Sequence, residues 1–95
     1  MGAACSFRVR IEVSAGRDPA EPSARWLRGL ATLSDCQRAY VEARGQADLG
    51  ASQFGTGEVF DRFGQHVASI SYNGRLWPPV PWHSGLVPLA EAPPP

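Results

Sequence analysis

Ninety-five residues suffice for one domain, and a chain of this length buries roughly 60 to 65% of the surface it would expose unfolded. With 43% hydrophobic and 19% charged residues it holds enough apolar matter for one core, while ten glycines and nine prolines imply much loop and tail. Nine arginines balance nine acidic residues and lysine is absent, which excludes a whole-chain field that would draw in nucleic acid or an anionic membrane surface.

The all-arginine cation set is what a GC-rich genome produces, and a bacterial or phage origin is the expectation. Cys5 and Cys36 lie in no CxxC pair or zinc-ligand spacing, so neither a disulfide framework nor a metal is expected. No apolar run approaches the ~20 residues of a membrane span, and the N-terminus lacks the ~7 to 15 residue apolar core of a secretory signal. The expectation is a soluble, cytoplasmic protein that needs no cofactor.

In chain order, Phe7, Val9, Ile11 and Val13 alternate with Arg8, Arg10 and Glu12, the period of a half-buried strand. Gly16, Pro19 and Pro22 break it, and Asp18 followed by Pro19 and Glu21 resembles a helix start, with Ser23 as an alternative cap. Trp26, Leu30, Leu33, Gln37 and Tyr40 then follow helical spacing, widened by Leu27 and Val41, which predicts a helix from Trp26 to Val41. Ser34 with Gln37 also resembles a capping box, so a break near Thr32 to Asp35 would divide the segment in two. Gly45 to Gly57 is glycine-rich and reads as a long connection, the kind of loop that often carries a contact surface.

A strand is predicted from Glu58 to Phe60, a turn over Asp61 to Gly64, and another strand from about Gln65 to Tyr72. Asn73-Gly74 is a type I′ hairpin signal, which would pair Tyr72 with Arg75, Ser71 with Leu76 and Ile70 with Trp77. Pro78 and Pro79 end that strand, and the remainder reads as an extended, polyproline-like tail. The predicted fold class is α+β: one α+β domain over residues 1–77 in β-α-β-β-β order, its helical segment packed on an antiparallel sheet, and a Pro-rich tail over 78–95.

Chemistry-bearing patterns are sparse. Glu58, His66 and Arg75 would supply a carboxylate, an imidazole and a guanidinium to a ribonuclease-like site, but almost any small protein offers such a trio. Cys36 with His66 would make a nucleophile pair only if the fold brought them together. Phe54, Phe60, Phe63, Tyr72 and Trp77 beside Arg62 and Arg75 suggest a stacking platform for single-stranded nucleic acid. Arg75 to Pro81, RLWPPVP, suits a groove that recognises proline. MGAACS fits a myristoylation pattern of two residues, for which chance is the better explanation.

The expected function is a non-catalytic protein–protein interaction module, of the kind a phage or mobile element uses to inhibit or regulate a larger host protein. Its contact residues are expected among Gln53, Phe54, Arg62, Arg75 and Trp82, and a free sheet edge would permit homodimerisation. The alternatives are a single-stranded nucleic-acid-binding module and a small ribonuclease.

Overall fold

The computed structural model describes residues 6–13, 23–48, 50 and 54–93. Its elements are β1 (Phe7–Val13), β2 (Ser23–Leu30), α1 (Leu33–Ala47), β3 (Phe54–Phe60), β4 (His66–Ile70) and β5 (Leu76–Trp77). The five strands form one antiparallel sheet in the order β2-β1-β3-β4-β5, with the helix packed on one face, an α+β fold.

The expected helix from Trp26 is corrected at its first half. Residues Ser23–Leu30 form a strand that pairs with β1, matching Val9 with Leu27 and Arg10 with Trp26, so the element order is ββαβββ. Helical spacing of Trp26 and Leu30 competed here with the unpaired edge of β1, and the tertiary pairing won over local propensity. Gly29, at φ 72°, stands where the β1–β2 register shifts. The break sensed near Thr32 is the true helix start. Thr32 is the N-cap, in extended conformation, and its hydroxyl accepts from the Asp35 N–H at 3.0 Å. Ser23 opens a strand rather than capping a helix, and Asp18 lies outside the described residues.

The helix also runs further than expected, through Gly45 to Ala47, and ends at Asp48, whose backbone is left-handed at φ 54°. Strand β3 begins at Phe54 rather than Glu58, so much of the expected Gly45–Gly57 loop belongs to regular elements.

Alternation sorts the strands into an inner and an outer face. Val9 and Ile11 of β1, Val59 of β3, Ala68 and Ile70 of β4 and Leu76 of β5 point inward, where Cys36, Tyr40 and Ala43 of α1 and the ring of Phe54 meet them. Gly57 is dictated by this contact: a Cβ there would sit 2.8 Å from Val9 Cγ1 and 3.0 Å from Tyr40 Cδ2. Tyr40 stacks obliquely on Phe54 at 5.4 Å and donates its hydroxyl proton to the Gly55 carbonyl at 2.8 Å, so its polar tip stays paired inside the core.

Both hairpins of the meander share one turn plan. Gly64 N–H donates to Asp61 O at 3.0 Å and Asp61 N–H to Gln65 O at 3.0 Å; likewise Gly74 N–H donates to Ser71 O at 2.8 Å and Ser71 N–H to Arg75 O at 3.0 Å. Gly64 and Gly74 supply the positive φ (82° and 93°). The expected type I′ turn is therefore corrected to a three-residue loop, since Asn73 keeps negative φ and its side-chain oxygen accepts from Arg75 N–H at 3.2 Å. The register moves by one residue: Ile70 faces Leu76, and Ser69 faces Trp77. Leu76 thereby enters the core while Trp77 turns to the outer face, where its indole N–H donates to Ser71 Oγ at 3.0 Å.

The segment after β5 returns along the sheet. Leu76 and Ala90 form an antiparallel bridge, with Leu76 N–H donating to Ala90 O at 2.9 Å. Gln37, buried on the helix, donates through Nε2 to Gly74 O at 3.0 Å and to Glu91 O at 2.8 Å, tying helix, hairpin and C-terminal strap together.

Candidate functional site

Two adjoining surfaces of the outer face combine aromatic, apolar and polar groups. The first is a groove of about 310 Å³ between the sheet and the strap, lined by Thr56, Ser69, Ser71 and Asn73 on one side and by Trp77, Pro78, Val80, Trp82 and Leu86 on the other. Two short turns shape its far wall, Val80 N–H donating to Pro78 O at 2.8 Å and Leu86 N–H to His83 O at 2.9 Å. Because Leu89 and Ala90 are hydrogen-bonded to Leu76 on the far side of these turns, the wall is fastened at both ends. On this wall Trp82 is 71% exposed, and beyond the groove on the same strap Val87 is 72% and Leu89 55% exposed.

The second surface lies toward the other end of β3. Trp26, Phe60 and His66 form a row of rings across β2, β3 and β4, with centroids 5.9 Å and 5.6 Å apart and tilts of 42° and 41°. Arg8 and Arg28 lie over the Trp26 ring at 5.6 and 5.4 Å. Arg10 bridges Glu58 at 3.1 Å and Glu12 at 3.4 Å along the same face. Trp26 belongs to this row only because β2 is a strand, so the helical reading of its segment hid it.

The residues singled out from the sequence are dispersed. Phe54 is in the core with 1% exposure, because the inner face of β3 needed a ring against Tyr40, and it is unable to meet a partner. Gln53 lies outside the described residues, as does the MGAAC portion of the myristoylation pattern. Arg62 is exposed in the β3–β4 turn with its guanidinium 4.7 Å from the Phe63 ring centroid. Arg75 pairs with Glu91 at 3.0 Å. Trp82 stands at the groove.

The expected aromatic platform is divided among several places: Phe54 points inward, Tyr72 lies under Arg44, Phe63 caps a turn, and only Phe60 and Trp77 share the outer face. RLWPPVP is no continuous polyproline ligand, since Leu76 is core and the chain turns at Pro79.

Glu58 is held by Arg10, Arg75 by Glu91, and His66 Nε2 lies 3.1 Å from Ser69 Oγ. Cys36 is buried on the helix side of the sheet, opposite His66, and burial, reinforced by neighbouring Asp35, pushes its thiol up to about 11. A thiol so protonated is a poor nucleophile. No group of three or more His, Cys, Asp or Glu suited to a metal ion occurs among the described residues, and no helix there is long and apolar enough to cross a membrane.

The chain matches no protein-family model, no curated protein and no solved structure.

Proposed function

We propose that the protein is a non-catalytic binding module that receives a second protein on the groove between Trp77 and Trp82. One observation carries the reading: Val80, Trp82, Val87 and Leu89 stay exposed on a strap that is hydrogen-bonded back to the sheet at Leu89 and Ala90. Covering a side chain of this size is worth roughly 1.5–3 kcal/mol each before the costs of association. A fixed strap also loses less conformational freedom on binding than a loose tail does. The partner that fits presents an apolar ridge, with a donor or acceptor for Ser69, Ser71 and Asn73. Occupying a surface of a larger host protein is how a domain of this kind would inhibit or regulate it.

The test is size-exclusion chromatography of the tagged protein with host lysate, followed by mass spectrometry and reconstitution from purified components. One stable partner that binds the wild type and releases the Trp82→Ser, Val87→Ser double variant supports the proposal. Identical profiles for the two proteins, or no partner for either, count against it. Both substitutions are at exposed positions, so folding is expected to survive them.

A second reading rests on the ring row Trp26, Phe60 and His66 flanked by Arg8 and Arg28, an arrangement suited to stacking a single strand of nucleic acid. Tryptophan quenching by oligonucleotides, stronger at low than at high salt and absent in Trp26→Ala, is the expected result. Quenching that Trp26→Ala leaves intact would sink it.

A further inference from the structure

We infer that Arg8, Arg28 and Arg62 form a binding site for a phosphate group, independent of the protein-docking groove. The three arginines, with Ser6, Gly29 and Asp61, line a single cavity of about 320 Å³ between the start of β1, the end of β2 and the β3–β4 turn. Like charges repel, so three guanidinium groups around one cavity are costly unless an anion joins them. None of the three has an ion-pair partner among the described residues, whereas Arg10 and Arg75 both do.

Each of the three is also pre-oriented. Arg8 and Arg28 lie over Trp26, and Arg62 over Phe63 at 4.7 Å. A guanidinium over a ring keeps its N–H groups in its own plane, free to fork onto oxyanion oxygens. Arg8 Nε is buried and has no hydrogen-bond partner among the described residues.

The one acidic group at the cavity, Asp61, has Oδ1 occupied by the Phe63 N–H at 2.8 Å and the Gln65 N–H at 3.0 Å. Three positive groups against one negative leave two positive charges, which matches a phosphate monoester dianion better than a carboxylate. Gly29 and Gly64 hold the two rims at positive φ, and the Gly64 turn comes so near that a Cβ there would lie 3.6 Å from Arg8 Nη2.

The experiment follows the Arg side-chain Nε–Hε resonances of the whole protein by NMR at constant ionic strength. It compares inorganic phosphate, adenosine 5′-monophosphate, adenosine and chloride. Saturable shifts with phosphate and with the monophosphate, but not with adenosine or chloride, are expected. Arg28→Gln and Arg62→Gln should each weaken phosphate binding about tenfold, the effect of losing one charge-assisted contact, while Arg38→Gln on the exposed face of α1 leaves it unchanged. Both pocket substitutions are at exposed positions, and unchanged far-UV circular dichroism will show that the fold persists. Equal shifts with chloride, adenosine binding as well as its monophosphate, or full affinity in both glutamine variants would overturn the assignment. Loss of the protein partner by the Trp82→Ser, Val87→Ser variant leaves this site unaffected, so the two proposals fail separately.

Discussion

Replacing Gln37 with alanine tests whether one buried amide holds three parts of the molecule together. Gln37 is 4% exposed, and its Nε2 donates to Gly74 O at 3.0 Å and Glu91 O at 2.8 Å. Removing it strands the buried Gly74 carbonyl, which costs about 1–3 kcal/mol, whereas exposed Glu91 regains water and loses only about 1 kcal/mol. Two to four kcal/mol is a large share of the stability of so small a domain, and corresponds to a fall of about 10–25 °C in Tm. Gln37→Met keeps most of the volume but neither hydrogen bond, so it should still lie about 2–4 kcal/mol below wild type, with alanine lower again by the packing it loses. Urea unfolding gives the totals, and hydrogen exchange localises them: the Leu89 and Ala90 amides, which donate to Leu76 O, should lose protection first. Both variants lying within about 0.5 kcal/mol of wild type, with strap amides unchanged, would refute the reasoning.

Two glycine-to-alanine changes should move stability in opposite directions. Gly57→Ala drives a methyl group against Val9 and Tyr40 and should cost about 1–3 kcal/mol, while Gly45→Ala, on the exposed side of α1 with nothing within 4 Å, should add about 0.5–1 kcal/mol in the same urea assay. At alkaline pH the fold should weaken. Burial raises the Cys36 thiol to about 11 and, despite neighbouring Arg44, the Tyr40 hydroxyl to about 12, from ordinary values of 9.0 and 10.0. The native state then holds protons that the unfolded chain has released, so stability is intact below about pH 9 and declines through about pH 12. A urea midpoint that stays flat over that window would contradict the burial of both groups.

What the sequence revealed depended on how completely a local pattern matched its final environment. Phe7 to Val13 alternates cleanly and became β1, and Asp61 to Gly64 turned the chain as expected. The helix was legible from Gln37, Tyr40 and Val41, all of which face or flank the core, but its start was misread. Trp26 and Leu30 fell at helical offsets, while the alternation that would reveal an edge strand is obscured by the bulge around Gly29. Asn73-Gly74 announced a hairpin correctly but not its register. Asn73 used its side chain to cap the loop instead of adopting positive φ, which exchanged the roles of Leu76 and Trp77. The groove and the arginine cavity were hidden because they join residues far apart in the chain. Of the expected contact residues that are described, Trp82 alone lines the groove and Arg62 alone lines the cavity.

The bulge at Gly29 also bears on how copies of this molecule behave at high concentration. Among the described residues strand β2 is the outer rim of the sheet, eight residues with one side unpaired, and such a rim is a template for fibril growth. A left-handed kink near its end, with Arg25 and Arg28 alongside, spoils the straight register that a stacking neighbour would require. Valine in place of Gly29 would favour straightening that stretch, leaving the border more open to a stacking neighbour.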